Sequence, residues 1–367
     1  MDRKKSSETV RSLGENAYFA ASNSAHGFHS YYDECFDRKE ITRLFAIKGG
    51  PGTGKSRFMR DVAEWGERVG WSAEMIYCSS DPDSLDGVIL TRNGEGIAVL
   101  DATAPHVYEP SRPGYREEIV NLGEFWNAEL LRGHRDELDA LNRRKKEAYR
   151  RGYRFLCGYE AMEENRRQLV APFLREQAIA EFAAKLMQGA PDEAQFRSQT
   201  ALMRSVGMRG EVSFDTYFAQ ARKIFLIEDC RGSARLLMDA LYRRAEEKRL
   251  RVRVSRDPIL PDQIDGLFLC GSGLCFALCS PENCTYPFRK ITMRRFVDTG
   301  RMRPVRQMVN YTERLRRAML AGAVEEMDQV RRYHFQIEQI YIAAMDFAAK
   351  EEFTKAFCES LFGLKNS

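Results

Sequence analysis

A charge excess of either sign is what this chain lacks most plainly: 57 Lys and Arg stand against 53 Asp and Glu, a net +4 over 367 residues. Such a balance gives no general ground for a polyanionic partner, so nucleic acid is not favoured. Two local basic runs, "RRKKEAYRRGYR" (143–154) and "RLRVRVSR" (249–256), read as a solvated helix face and a strand edge. Long apolar runs are missing too. The most apolar stretch, "GLFLCGSGLCFALC" (266–279), is broken by glycine and serine, which excludes a membrane-spanning helix there. The start, "MDRKKSSETV", has no apolar core of the signal-peptide kind, so a cytoplasmic location and no membrane partner are expected. Nine cysteines are too few for a disulfide scaffold of this length. Cys270, Cys275, Cys279 and Cys284 cluster loosely, without the paired C-x-x-C spacing of a zinc site, and read as small buried hydrophobes.

Against that background one motif stands out. "LFAIKGGPGTGKSRFMRDV" (44–62) opens with an apolar run suited to a buried parallel strand. Gly49, four residues, then Gly54-Lys55-Ser56 match the phosphate-binding P-loop, and a helix is predicted from about Lys55. Each residue type has its reason. Gly49, Gly50, Gly52 and Gly54, with Pro51 and Thr53, let the backbone curl its N–H groups around phosphate oxygens. The helix N-terminus, with Arg57 in its first turn, faces the same anion. Lys55 would reach the β- and γ-phosphates, and the Ser56 hydroxyl would ligate Mg²⁺. The cofactors expected are ATP and Mg²⁺; no guanine-reading N-K-x-D stretch is present.

The motif has an echo. "RLFAIKGGPGTGKSRFMRD" overlies "KIFLIEDCRGSARLLMD", which begins at Lys223, with one loop residue deleted. From there the register is constant: Met59 on Met238, "DSLDGVIL" (83–90) on "DQIDGLFL" (262–269), and Gly94 on Gly273. This is an internal duplication. In the second copy Lys55 becomes Ala234 and Ser56 becomes Arg235, while Glu228 and Asp229 add negative charge. That loop is expected to bind no triphosphate.

The copies also sort the acids. Asp83 and Asp86 survive as Asp262 and Asp265, so they are read as structural, in a turn before a strand. Asp81 becomes Leu260 and Asp101 becomes Ser280. Asp101 ends a predicted strand, where a Walker B aspartate sits, and is the first candidate for a Mg²⁺-linked carboxylate; Asp81 is the second. Within "DATAPH" (101–106), Thr103 and His106 are candidates to sense the γ-phosphate or position water, or simply to close a strand-end turn. "YFAASNSAHGFHSYYDECFDRKEITRLF" (18–45) is set against "YFAQARKIF" (217–225), which leaves Asn23, Ser24, His26, Gly27 and His29 without counterparts. They would border a nucleotide or a second substrate, or form a surface turn.

"YFAASNSAHGF", "GGPGTGKS", "LDGVIL", "DATAPH", "NLGEFWN" and "YIAAMDF" together resemble a bacterial family of P-loop ATPases with two duplicated halves, each followed by helices. The resemblance extends over nearly the whole chain and implies ATP binding and ATPase activity; it names no further substrate.

The expected fold is therefore α/β: two tandem P-loop NTPase-like halves with mainly parallel sheets, each followed by long helices. The first domain is set at 1–207 and the degenerate second at 208–367, with the junction near "SVGMRGEVSF" (205–214). Helical periodicity runs from Glu124 to about Met187, broken at Pro172, and again over 305–362. Arg150, Arg151 and Arg154 would close on the triphosphate if that helix is a lid, or pair with neighbouring acids. Three functions fit: a Mg²⁺-dependent ATPase, a P-loop kinase with its acceptor near Asp81 and 22–32, or a nucleotide-gated module without turnover.

Overall fold

Apolar runs form strands and helical-period runs form helices in the same order twice. The computed structural model describes residues 9–11, 16–106, 108–278 and 284–363. After β1 (Thr9–Arg11), the first half comprises β2 (Ala17–Phe19), the hairpin β3 (Ala21–Ser24)–β4 (Gly27–Ser30), α1 (Tyr32–Phe36), β5 (Ile41–Lys48) and α2 (Lys55–Arg68). It continues with β6 (Ser72–Tyr77), β7 (Leu85–Arg92), β8 (Glu95–Asp101), β9 (Glu117–Asn121), α3 (Ala128–Gly133), α4 (Arg135–Val170) and α5 (Glu176–Leu186). The second half repeats this: β10 (Arg197–Thr200), the hairpin β11 (Arg204–Gly207)–β12 (Gly210–Phe214), α6 (Thr216–Gln220), β13 (Lys223–Glu228) and α7 (Ala234–Glu247). Then follow β14 (Arg251–Arg256), β15 (Ile264–Leu269), β16 (Leu274–Ala277), β17 (Phe288–Thr292), α8 (Arg306–Ala344) and α9 (Phe347–Phe362).

Two six-stranded sheets result, ordered β2-β6-β7-β8-β5-β9 and β10-β14-β15-β16-β13-β17. Only β7 and β15 run antiparallel to their neighbours. The fold is α/β with two repeated halves. In α2 the buried face is Phe58, Met59, Val62, Ala63 and Gly66; in α7 it is Ala234, Leu237, Met238, Leu241 and Ala245. Both stripes follow the i, i+3/i+4 rule, and each large apolar side chain so buried contributes roughly 2 kcal/mol. No helix among the described residues is long and apolar enough to cross a membrane.

Three readings of the sequence change here. Residues 18–45 are not missing from the second half: β10, the β11–β12 hairpin and α6 repeat β2, β3–β4 and α1 in the same order. The "YFA" of 217–219 lies in helix α6, whereas the "YFA" of 18–20 includes the end of β2. A short identical string was matched across unlike elements. The second sheet also takes its edge strand from Arg197–Thr200, ahead of the 207/208 division. Asp86 sits inside β7 rather than in the turn before it.

The long helices cross over. α4 and α8, with 36 and 39 residues, each extend about 54–58 Å at 1.5 Å per residue. They pack antiparallel along their length. Ala148, Met327 and Val330 form one buried cluster of this seam, and Leu156 and Ala323 form another. Polar pairs Arg151–Glu326 (2.8 Å), Asn165–Thr312 (3.2 Å) and Arg166–Glu313 (3.1 Å) fix the register. At its end α8 returns to the first half: Asp346 N–H donates to Phe125 O, and Asn127 N–H to Ala344 O, both 2.8 Å. At its end α4 turns into the second half: Arg175 N–H donates to Phe296 O at 2.9 Å and Asp298 N–H to Phe173 O at 2.8 Å. Consequently α9 packs on α2, with Phe357 against Phe45 and Phe58, while Phe182 of α5 packs against Phe296 in the core cluster shared with α7. Each half is completed by helices from the other.

This exchange makes a prediction. Fragment 1–207 alone leaves the α2 face that α9 covers open to water, and should unfold without a sharp thermal transition. Co-produced with 208–367, it should regain cooperative unfolding by circular dichroism. A sharp transition from 1–207 alone would refute the exchange.

Candidate functional site

The loop between β5 and α2 holds every glycine of the motif in one short bend. Gly52 and Gly54 lie in the left-handed region, with φ of 72° and 81°, where a side chain would be strained. Gly54 is the N-cap of α2 and offers no side-chain acceptor, so the helix begins without a capping group. Lys55 turns back and donates to the carbonyls of Gly49 (3.0 Å) and Gly50 (2.7 Å), with Asp101 Oδ2 at 3.6 Å. Thr53 Oγ1 donates to Gly50 O at 2.9 Å. Ser56 Oγ accepts from Leu85 N–H at 3.0 Å. Pro51 continues the bend, and Arg57 points outward to pair with Asp61 at 2.9 Å.

Asp101 ends β8 beside β5 and is buried. Burial raises its carboxyl pKa, and Lys55 offsets this only in part. One oxygen accepts from Thr103 N–H at 2.8 Å, and the Thr103 hydroxyl donates to Gly49 O at 2.9 Å. Lys55, Ser56, Asp101 and Thr103 therefore converge on one loop. Asp81 is engaged in its own turn, accepting from Ser84 Oγ at 3.1 Å and from Asp83 N–H at 3.4 Å. His106 is buried, with Nε2 3.2 Å from Asp86 Oδ2, and its ring stacks on Tyr32 at 4.8 Å. Burial opposes its protonation, but the Asp86 carboxylate outweighs that and raises the imidazole pKa.

Other expected residues lie elsewhere. Asn23 is buried and donates to Val206 O at 2.9 Å, while Tyr153 OH donates to Asn23 Oδ1 at 3.0 Å. Ser24 bonds within its own hairpin, His26 pairs with Glu160 of α4 at 3.1 Å, and His29 lies beside Tyr31. Hairpin β3–β4 thus joins the halves, with Phe28 of β4 edge-on to His106 at 5.0 Å. Arg151 is taken by Glu326, and Arg150 and Arg154 are exposed. Cys275 is buried and Cys270 exposed. Cys279 and Ser280 lie outside the described residues, so the replacement of Asp101 by Ser280 has no structural counterpart to compare.

Sequence reasoning missed the roof of the loop. α8 lies directly on it: a methyl group added at Gly50 would come within 2.5 Å of the Tyr341 ring, and one at Gly52 within 2.8 Å of Glu338. These glycines therefore admit a helix at close approach. His334 and Glu338 on α8 both feel the charges of Lys55 and Asp81. Burial, reinforced by Lys145, lowers the His334 pKa to about 4. Only the closeness of "GGPGTGKS" to the final helices in three dimensions identifies them.

The second loop has its own anion. Asp229, which aligns with Gly49, accepts from Gly232 N–H at 2.8 Å and Ala234 N–H at 2.9 Å. Arg166, reaching over from α4, lies 3.7 Å from that carboxylate. The side chain fills the cradle that the first loop leaves to glycine. No protein-family model, curated protein or solved structure matches this chain.

Two outcomes follow. Asp229→Ala leaves two N–H groups unpaired and should lower unfolding stability by about 1–3 kcal/mol in urea titration. His334→Gln should alter the acid limb of stability. Unfolded, an imidazole binds its proton near pH 6.5; folded, His334 does so only near 4. Its contribution is complete above about pH 6.5 and is lost as pH falls toward 4. The variant's melting temperature should fall less steeply across that interval than the wild type's; parallel curves would contradict the assignment.

Proposed function

We propose that the chain is a Mg²⁺-dependent ATPase with a P-loop nucleotide site at Gly49–Ser56 and none at the second loop. The carrying observation is the contrast between two loops on matching frames. One has a lysine, a hydroxyl and a buried carboxylate around an uncapped helix N-terminus. The other has its N–H groups occupied by its own aspartate. An uncapped helix N-terminus with positive-φ glycines and a part-buried lysine fits a polyphosphate.

ATP with Mg²⁺ would supply the transferable γ-phosphoryl group. Lys55 would release the Gly49 and Gly50 carbonyls and turn its ammonium to phosphate, a charge-assisted bond worth about 1.5–3 kcal/mol. Ser56 and Asp101 would hold the metal. Burial of Asp101 beside Lys55 keeps its charge local to the site. Thr103 ties the Asp101 turn to Gly49, so the acid and the loop would move together. His334, neutral at pH 7, and Glu338 would register phosphate through α8, coupling the site to the opposite half. The kinase reading stands as the alternative, with Asn23 of its acceptor segment bonded to Val206 and Asp81 accepting from Ser84 and Asp83.

The test is stoichiometry and turnover. Calorimetric titration should return one ATP per chain. Lys55→Ala should remove nearly all ATP-dependent thermal stabilisation, and Ala234→Lys should add no second site. Asp101→Asn should lower Mg²⁺-dependent phosphate release by about a hundredfold while the fold persists. Two nucleotides per chain, or phosphate release unchanged in Asp101→Asn, would overturn the reading.

A further inference from the structure

We infer that Cys78, Asp86 and His106 form a binding site for one borderline-soft divalent transition ion, of the Zn²⁺ class, in the first half only. Cys78 directly follows β6, Asp86 lies at the start of the antiparallel β7, and His106 lies in the turn after β8. Those three points share one edge of the sheet, because an antiparallel strand begins where its neighbours end. The thiol, a carboxylate oxygen and a ring nitrogen come within 4.8 Å of one another.

The contacts within the group point to a missing central partner. Asp86 Oδ2 and His106 Nε2 are 3.2 Å apart, a polar contact without good hydrogen-bond geometry, and His106 Nδ1 has no partner. Both side chains are only 5% exposed. Buried polar atoms are seldom left so. Tetrahedral bonds of about 2.0–2.3 Å set neighbouring ligand atoms roughly 3.3–3.8 Å apart; the Asp86–His106 pair is already at 3.2 Å, and the thiol would close in from within 4.8 Å. A thiolate and an imidazole select a borderline-soft ion over Mg²⁺, which separates this site from the Mg²⁺ of the nucleotide loop. Of the three, Cys78 is the least enclosed.

The second half supplies the comparison. Asp265 occupies the place of Asp86 (265 − 86 = 179) and is equally buried. There Arg204 Nη1 lies 3.3 Å from its carboxylate. At the same offset Cys78 is replaced by Asp257 and His106 by Thr285. Asp257 spends its carboxylate on the Ile259 and Leu260 N–H groups, at 2.9 Å each. Both halves thus bury a carboxylate at one point, and a buried charge needs a cation. The second half builds in a permanently charged guanidinium; the first sets an imidazole and a thiol beside its carboxylate, groups that can ligate a metal as well as pair. A bound ion would also pin the turn carrying Thr103, and through it Gly49.

The whole chain, stripped with a chelator, is titrated with Co²⁺ followed by absorption, and with Zn²⁺ followed by elemental analysis after gel filtration. Expected are one equivalent per chain, tetrahedral d–d bands and a sulfur-to-cobalt charge-transfer band. Lys55→Ala should bind the ion as well as wild type, which keeps this result independent of the nucleotide reading. Cys78→Ser should lose the charge-transfer band and at least about tenfold in affinity, and His106→Gln should lose comparable affinity, with circular dichroism reporting the fold. If either variant fails to fold, the wild-type spectrum decides. Wild-type protein that takes up neither ion, or shows no sulfur-to-cobalt band, or a folded Cys78→Ser that binds as tightly, would overturn the inference.

Discussion

The antiparallel seam of α4 and α8 is the contact on which the rest depends. Each helix leaves the half that encodes it, crosses the molecule and delivers the final helices of its repeat to the opposite sheet. Ala148, Leu156, Ala323, Met327 and Val330 are buried there, so separating the helices would expose the seam and uncover both loops together. The roof of the first loop, Tyr341 and Glu338, and the roof of the second, Glu163 and Arg166, come from this one pair. Each loop is thus roofed by a helix anchored in the other half.

The same frame is used with opposite electrostatics. Around the first loop a lysine points at carbonyl oxygens, a weak arrangement that a phosphate would improve upon. Around the second, Asp229 holds the N–H groups and Arg166 stands by it, an ion pair complete within the protein. The pattern recurs one strand away. Buried Asp86 faces imidazole and thiol, whereas buried Asp265 faces a guanidinium. In both places the second half sets a guanidinium beside its carboxylate, whereas the first half sets side chains that could also engage something from outside.

Much of the frame was legible in the sequence. The strand-loop-helix around Gly49–Ser56 follows from an apolar run, glycines and a 3.6-residue stripe, all local signals. Asp101 at a strand end and the break at Pro172 were legible for the same reason. The duplication was legible as a constant offset, because repeated strands keep their length. Where the match rested on three letters, "YFA", it failed: a strand end and a helix can share a string when their neighbours decide the backbone. Asp86 was assigned to a turn because "LDG" is also a turn composition, and its place inside β7 came from pairing with β6 and β8.

Sequence by itself determined which loop keeps the groups a phosphate could meet: Lys55 and Ser56 are present, Ala234 and Arg235 stand in their place, and no folding can supply a missing side chain. Tertiary structure alone decided what surrounds them. That Gly50 and Gly52 must admit α8, that Asp229 fills its own loop, and that Cys78, Asp86 and His106 meet are relations between residues 3 to 291 positions apart along the chain. The long-range ones arise from one edge of a mixed sheet gathering the ends of several strands and from two long helices exchanging halves. Linear spacing carries no trace of such contacts, because the packing that creates them is shared across the whole molecule.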